Sequence, residues 1–229
     1  KSLGVRPYGY ISFRYDLTDY VRYGRKNVIA VRVDNSEQPN SRWYSGCGIY
    51  RNVWLTVADP VHVDLWGTYV TTPQVDEQNA TIQITTTVKN DSKNAEEVKI
   101  STIIVDANGK KVTETNSVQS LSSGQKAEVG HELNLRNPIR WTIENPYLYS
   151  VKTKLYVGNK LKDQYSTPLG VRSFVFDAEK GFFLNGVHTK IRGVCLHHDL
   201  GALGAAVNTR AIERQLEIMK KMGVNGIRT

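Results

Sequence analysis

The chain has 229 residues, about one and a half ordinary domains, and at 40% hydrophobic, 23% charged and a mean hydropathy of −0.40 it has no apolar run near the roughly 20 residues of a membrane-spanning helix. Twelve Tyr, five Phe and four Trp give it aromatic bulk that a disordered chain lacks. The net charge of +8 invites a nucleic-acid partner, but residues 1–57 carry nine basic and four acidic side chains, 58–168 twelve and thirteen, and 169–229 nine and five, with no basic run longer than a pair, so solvated surface is the better account.

Residues 10–57 read as strands. Tyr10–Tyr15 alternates rings with polar side chains, Asn27–Val33 alternates after the turn Tyr23-Gly24-Arg25-Lys26, and Asn52–Val57 forms a third candidate. Three strands are too few to close a sandwich. Ala58-Asp59-Pro60 reads as a linker, because Pro60 cannot donate to a ladder and biases Asp59 toward an extended backbone.

A new rhythm follows, with strand candidates at 61–71, 79–89, 97–106, 111–119, 126–135 and 148–157 separated by turn clusters such as Ala107-Asn108-Gly109 and Ser122-Ser123-Gly124. Six or seven short strands over this length are the pattern of an immunoglobulin-like β-sandwich, here without a Cys pair. After Gly170 the pattern changes again. Phe182-Phe183-Leu184 and Val187-His188-Thr189 flank Asn185-Gly186, which accepts the positive φ angles of a type I′ hairpin. Lys190–Leu196 reads as a strand, and Asn208 or Thr209 caps a helix with apolar residues at Ile212, Leu216 and Met219 and with Gly223 just past its end. Val224–Thr229 starts another strand, which makes a strand-helix-strand unit opening a parallel α/β domain. We expect the sequence to be an internal piece of a longer protein.

Three motifs invite chemistry. Glycines 46 and 48 in Ser45–Arg51 imitate a phosphate loop, yet no helix follows, so a tight turn is expected. Before that turn, Arg42, Trp43 and Tyr44 could either stack on a sugar or simply pack. In Gly193–Asp199, two adjacent His and an Asp close a parallel strand, the position where barrel enzymes place working groups. Neighbours on a strand point to opposite faces, so His197 and His198 do not suit one metal ion, and no Ser or Cys elbow is present for a triad. Either one His donates to a substrate while His198 or Asp199 braces the loop, or the pair is structural. The small residues Gly201–Ala206 lack the GxGxxG spacing of a dinucleotide loop. Cys47 and Cys195 form no metal spacing, and two separately buried thiols are expected rather than a disulfide.

Taken in order, Gly9–Phe13, Asn27–Asn35, Gly48–Val53, Trp141–Tyr149, Gly170-Val171-Arg172, Phe183–Gly186, Arg192-Gly193-Val194 and Asn225–Thr229 resemble glycoside hydrolase family 2, the β-galactosidase and β-glucuronidase family, over essentially the whole chain. Cys195–Gly204 looks most like β-galactosidases of the Bacteroidetes type. The resemblance implies a mostly β architecture: 1–58 as the C-terminal part of a jelly-roll sugar-binding domain, 59–169 as a complete immunoglobulin-like sandwich, and 170–229 as the start of a (β/α)8 barrel. It implies a retaining exo-β-glycosidase acting on terminal β-galactosides, bacterial and periplasmic or secreted, compatible with an oligomer, with no nucleic-acid or membrane partner. The two catalytic Glu are expected beyond Thr229, since Glu144, Glu179, Glu213 and Glu217 match neither motif, so this piece alone should be inactive. No cofactor is evident, and a divalent metal would belong to the full-length enzyme rather than to these residues. His197 matches the family's glycone-binding His, with Asn40, Arg42, Trp43 and Arg228 as further substrate contacts and His198, Asp199 and Arg192 in support. β-Glucuronidase and β-mannosidase are the enzymatic alternatives, and a non-catalytic sandwich module serving interaction or spacing is the alternative from another class.

Overall fold

The computed structural model describes residues 1–37, 48–197, 200–206 and 208–229. Its centre is a sandwich of two antiparallel sheets. One sheet is ordered β1–β2–β5, from Val61–Val75, Asn79–Asn90 and Lys126–Arg136. The other is ordered β4–β3–β6–β7, from Lys111–Leu121, Glu96–Val105, Tyr149–Val157 and Lys160–Leu169. Six of these strands stand where the alternation placed them. The seventh, β7, was not among the spans expected, because Lys160–Leu169 is polar on both faces and pairs only with β6 along an open edge.

The period-two pattern sends alternate Val, Ile and Leu residues inward, and both sheets supply each of two apolar clusters. Ile82, Ile84, Ile104, Leu135 and Val151 centre one; Val88, Val98, Ile100, Leu121 and Leu155 centre the other. Between them runs a polar belt. Thr86, Thr102 and Thr153 are buried there, and His131 of β5 bridges to the opposite sheet, its Nδ1 lying 2.8 Å from the Thr102 hydroxyl and its Nε2 2.8 Å from that of Ser117. Burial pushes the His131 pKa below the ordinary histidine value.

The first strand starts at Val61, directly after Pro60. Asp59 accepts the Val61 N–H at 3.1 Å and an ion pair from Lys162 at 3.1 Å, which ties the first strand to β7.

Residues 1–59 correct the strand expectation: among the described residues they contain turns and bends but no strand. Tyr10–Tyr15, Asn27–Val33 and Asn52–Val57 alternate as strands should, yet no described segment completes a ladder with them, and Val28 and Trp54 stay 79% and 81% exposed. Alternation prepares a face for burial, but a strand also needs a partner for its backbone.

Beyond the sandwich, Phe174–Asp177 (β8), Gly181–Leu184 (β9) and Val187–His188 (β10) form a small meander. Its last turn is the predicted one, with Asn185 at φ 50° and Gly186 at φ 79°. Gly193–Cys195 (β11), the helix Thr209–Lys221 (α1) and Gly226–Arg228 (β12) follow, with β11 and β12 parallel. Asn208 caps α1 through the Ala211 N–H. Gly223, at φ 83°, ends it with bonds from Gly223 N–H to the Lys220 carbonyl and Val224 N–H to the Met219 carbonyl.

Candidate functional site

The unit β11–α1–β12 positions the sequence-derived site. Gly193 pairs directly with Gly226, Val194 with Ile227 and Cys195 with Arg228. Gly226 packs close to Ile191: a Cβ there would sit 2.9 Å from Cγ2 of Ile191 and would force that side chain to move. Asn225 locks the opening of the ladder: its carboxamide accepts the Arg192 N–H at 2.7 Å and donates to the Lys190 carbonyl at 3.0 Å. At the other end the Leu196 N–H donates to the Arg228 carbonyl at 2.8 Å. His197 follows at once, exposed, at the C-terminal edge of the parallel pair.

Arg228 is also at this edge, in register with Cys195 and exposed. Arg192 is not. It stands at the start of β11, about 16 Å from His197 along an extended chain, so the two do not meet at one site. Asn40, Arg42, Trp43, His198, Asp199 and Cys47 lie outside the described residues. Cys195 is a free and exposed thiol, which corrects the expectation of burial: no described element covers that face of the two-stranded ladder.

The glutamates of this region are not poised as an acid and a base. Arg210 donates to both carboxylate oxygens of Glu217, at 2.8 and 3.2 Å, and to Glu213 at 3.3 Å. These bonds hold Glu217 below the ordinary carboxylate range and keep Arg210 charged. Glu144 and Glu179 are exposed at turns. Among the described residues no group of three His, Cys, Asp or Glu is arranged to hold a metal ion.

A joint connects the β8–β10 meander to the sandwich. Asn185 donates from Nδ2 to the Trp141 carbonyl at 3.0 Å and accepts the Ser173 N–H at 3.0 Å. The Arg172 guanidinium lies 4.8 Å over the Trp141 ring, and the Trp141 N–H donates to the Val171 carbonyl at 2.8 Å. Beside this joint a recess of about 400 Å³ runs between Trp141, Ile143 and Pro146 on the sandwich side and Leu216, Met219 and Val224 on the other. It opens at the N-terminal end of β12, away from His197.

The family model of the glycosyl hydrolases family 2 matches residues 61–172, the span of the sandwich. A beta-galactosidase of Bacteroides ovatus is 57% identical over 227 residues, covering 99% of this chain and 27% of its own length. The crystal structure of a family 2 member from Bacteroides cellulosilyticus superposes with a TM-score of 0.91 at 43% identity, covering 96% of this chain and 30% of that one. The chain belongs to the glycosyl hydrolases family 2. A beta-glucuronidase of Bacteroides fragilis is also similar, 33% identical and covering 100% of this chain and 34% of its own length. The chain thus spans about a quarter to a third of the length of these family 2 relatives.

Two roles escaped the sequence reading of this family 2 chain. Asn225 and Asn185 were quoted only as parts of motifs, while the structure makes each a clamp between separate segments. The available signal was an Asn beside a Gly in both places, which marks a turn but not what its carboxamide reaches.

Proposed function

We propose that this chain is part of a retaining exo-β-glycosidase, a β-galactosidase, with residues 1–58 ending a jelly-roll sugar-binding domain, 59–169 forming an immunoglobulin-like sandwich and 170–229 opening a (β/α)8 barrel. The observation that supports the reading is the 57% identity to a beta-galactosidase over nearly the whole chain, against 39% and 33% to relatives named as beta-glucuronidases. The parallel order of β11 and β12 around α1 supports the barrel assignment.

In this reading His197 donates a hydrogen bond to a glycone hydroxyl from the C-terminal edge of the barrel. Its preference for the transition state comes from geometry, the donor meeting the hydroxyl best once the ring has distorted toward the half-chair or boat. Retention needs two carboxylates about 5–5.5 Å apart. In this reading both belong to the barrel beyond residue 229, as the family resemblance implies, and Glu213 and Glu217 serve the surface of α1 through Arg210.

The test uses the full-length protein. His197→Ala should lower kcat/KM for 4-nitrophenyl β-galactoside by roughly two to four orders of magnitude with an unchanged Tm. An unaltered kcat/KM assigns His197 to packing. A wild-type enzyme that prefers 4-nitrophenyl β-glucuronide sinks the galactosidase reading.

A further inference from the structure

The outer face of the β1–β2–β5 sheet carries an aromatic recess on a different element from His197. Four residues of β1, from Asp64 to Gly67, stand opposite the single residue Thr87, because the register passes from Val63↔Val88 directly to Thr68↔Thr86. This wide bulge is locked. A Cβ at Gly67 would meet the Asp64 carbonyl at 2.6 Å and the Thr87 carbonyl at 2.9 Å, so only glycine fits. Next to it Trp66 is held at φ 55°, in the left-handed region that a Trp adopts only under constraint. The constrained backbone presents its indole to solvent at 70% exposure, and Tyr69 is 69% exposed beside it.

Trp66, Gly67, Tyr69, Thr85, Thr87 and Glu128 line one recess of about 370 Å³. The ladder explains how they meet. Tyr69 pairs with Thr85, which pairs with Gly130, and Thr87 pairs with Glu128. One rung therefore carries the Tyr69 ring, the Thr85 hydroxyl and a bare glycine, and the next on that face carries the Thr87 hydroxyl and the Glu128 carboxylate opposite the bulge that holds Trp66. Gly130 leaves open space at its Cβ position, so the shelf stays clear at that corner. Across three strands it measures about 10 Å, room for a disaccharide-sized segment.

We propose that this shelf binds a neutral β-linked glycan chain. Aromatic faces fit the C–H face of an equatorially linked pyranose, while two threonine hydroxyls and a carboxylate fit its hydroxyls. Among the described residues the lining holds no Lys or Arg, and the guanidinium beside the bulge, that of Arg14, is paired with the Asp64 carboxylate at 3.0 Å, so the shelf does not suit a phosphate, a sulfate or a uronate polymer. Such a site would hold polymeric substrate near the enzyme without taking part in hydrolysis.

The experiment is affinity electrophoresis of the full-length enzyme through native gels cast with hydroxyethyl cellulose, a neutral β-1,4-glucan, or with β-1,4-galactan, and with polygalacturonate as the anionic comparison. Wild type should be retarded by at least one neutral polymer. Trp66→Gly removes the ring while glycine accepts the positive φ without strain, so Tm should hold or rise while retardation weakens roughly tenfold. Tyr69→Ala and Glu128→Gln should each weaken it several-fold, and kcat/KM for 4-nitrophenyl β-galactoside should stay at the wild-type value in all three. Free migration of wild type in both neutral gels, retardation by polygalacturonate alone, or wild-type retardation of Trp66→Gly would each overturn the proposal. A changed sedimentation coefficient in Trp66→Gly would do so too, by making the patch an interface between copies. Hydroxyethyl cellulose offers no terminal galactoside to the active site, so its retardation stands or falls separately from the galactosidase reading, and galactan retardation counts for the shelf only where Trp66→Gly weakens it.

Discussion

The sandwich and the segments on either side of it both contain alternating apolar and polar residues, but they fold by different means. Between Val61 and Val171 alternating Val, Ile and Leu positions are almost fully covered, and of the buried apolar side chains in the described chain only Leu184 lies outside that span. Residues 1–59 and 185–229 alternate just as well in places, yet leave Val28, Trp54, Ile191 and Met222 open. The difference is one of partners. Each inner sandwich strand has neighbours on both edges and a facing sheet, whereas β11 and β12 have only each other among the described residues. Stability should therefore be concentrated in the sandwich.

The strongest challenge to that comparison is a matched pair of truncations. Ile100 is fully buried in one of the two apolar clusters, and Ile100→Ala should cost about 2–5 kcal/mol through lost burial and a cavity. Val28→Ala in this chain should cost under about 0.5 kcal/mol, since little is covered there. Urea titrations of both variants read the difference directly. Equal losses would mean that residues 1–59 are packed as tightly as the sandwich.

Much of this was legible beforehand, and the reason differs by element. Six sandwich strands, the Asn185-Gly186 turn and the Asn208 and Gly223 caps depend on neighbouring residues, so local pattern locates them. The register of β1 against β2 is not local. Nothing in Asp64-Leu65-Trp66-Gly67 announces that four residues will oppose one, since that depends on where Val63 and Thr68 find their partners. His131 was missed for a similar reason: it lies on a strand with a half-buried face, and only the stacking of two sheets brings Thr102 and Ser117 to its ring nitrogens. Of the expected site, His197 and Arg228 stand at the same strand edge because two positions on a parallel ladder are linked by register, whereas Arg192 precedes the opposite end of that ladder.

A smaller effect probes the joint between the two regions. Asn185→Gly keeps the positive φ of the turn but deletes the bonds to the Trp141 carbonyl and the Ser173 N–H, at a cost of about 1–2 kcal/mol. Hydrogen exchange should quicken in β9 and β10 and stay unchanged at Ile100 and Leu155. If exchange quickens throughout, the meander and the sandwich form one cooperative unit.

The smallest effect is a pH dependence confined to the sandwich. Burial lowers the His131 pKa in the folded state, so between that value and the unfolded value near 6.5 the unfolded chain binds more protons. Stability attributable to this residue is then fully present above about pH 6.5 and declines as pH falls from there toward the depressed folded pKa. Asp59 and Asp64 are lowered instead, and their contributions are lost only at more acidic pH, below the ordinary Asp value. Urea midpoints measured from pH 7.5 to 5 should fall in wild type, and His131→Gln should flatten that slope while preserving the carboxylate-dependent loss below it. A slope that persists in His131→Gln would shift the titration to another histidine and leave the bridge between the sheets without a role in acid sensitivity.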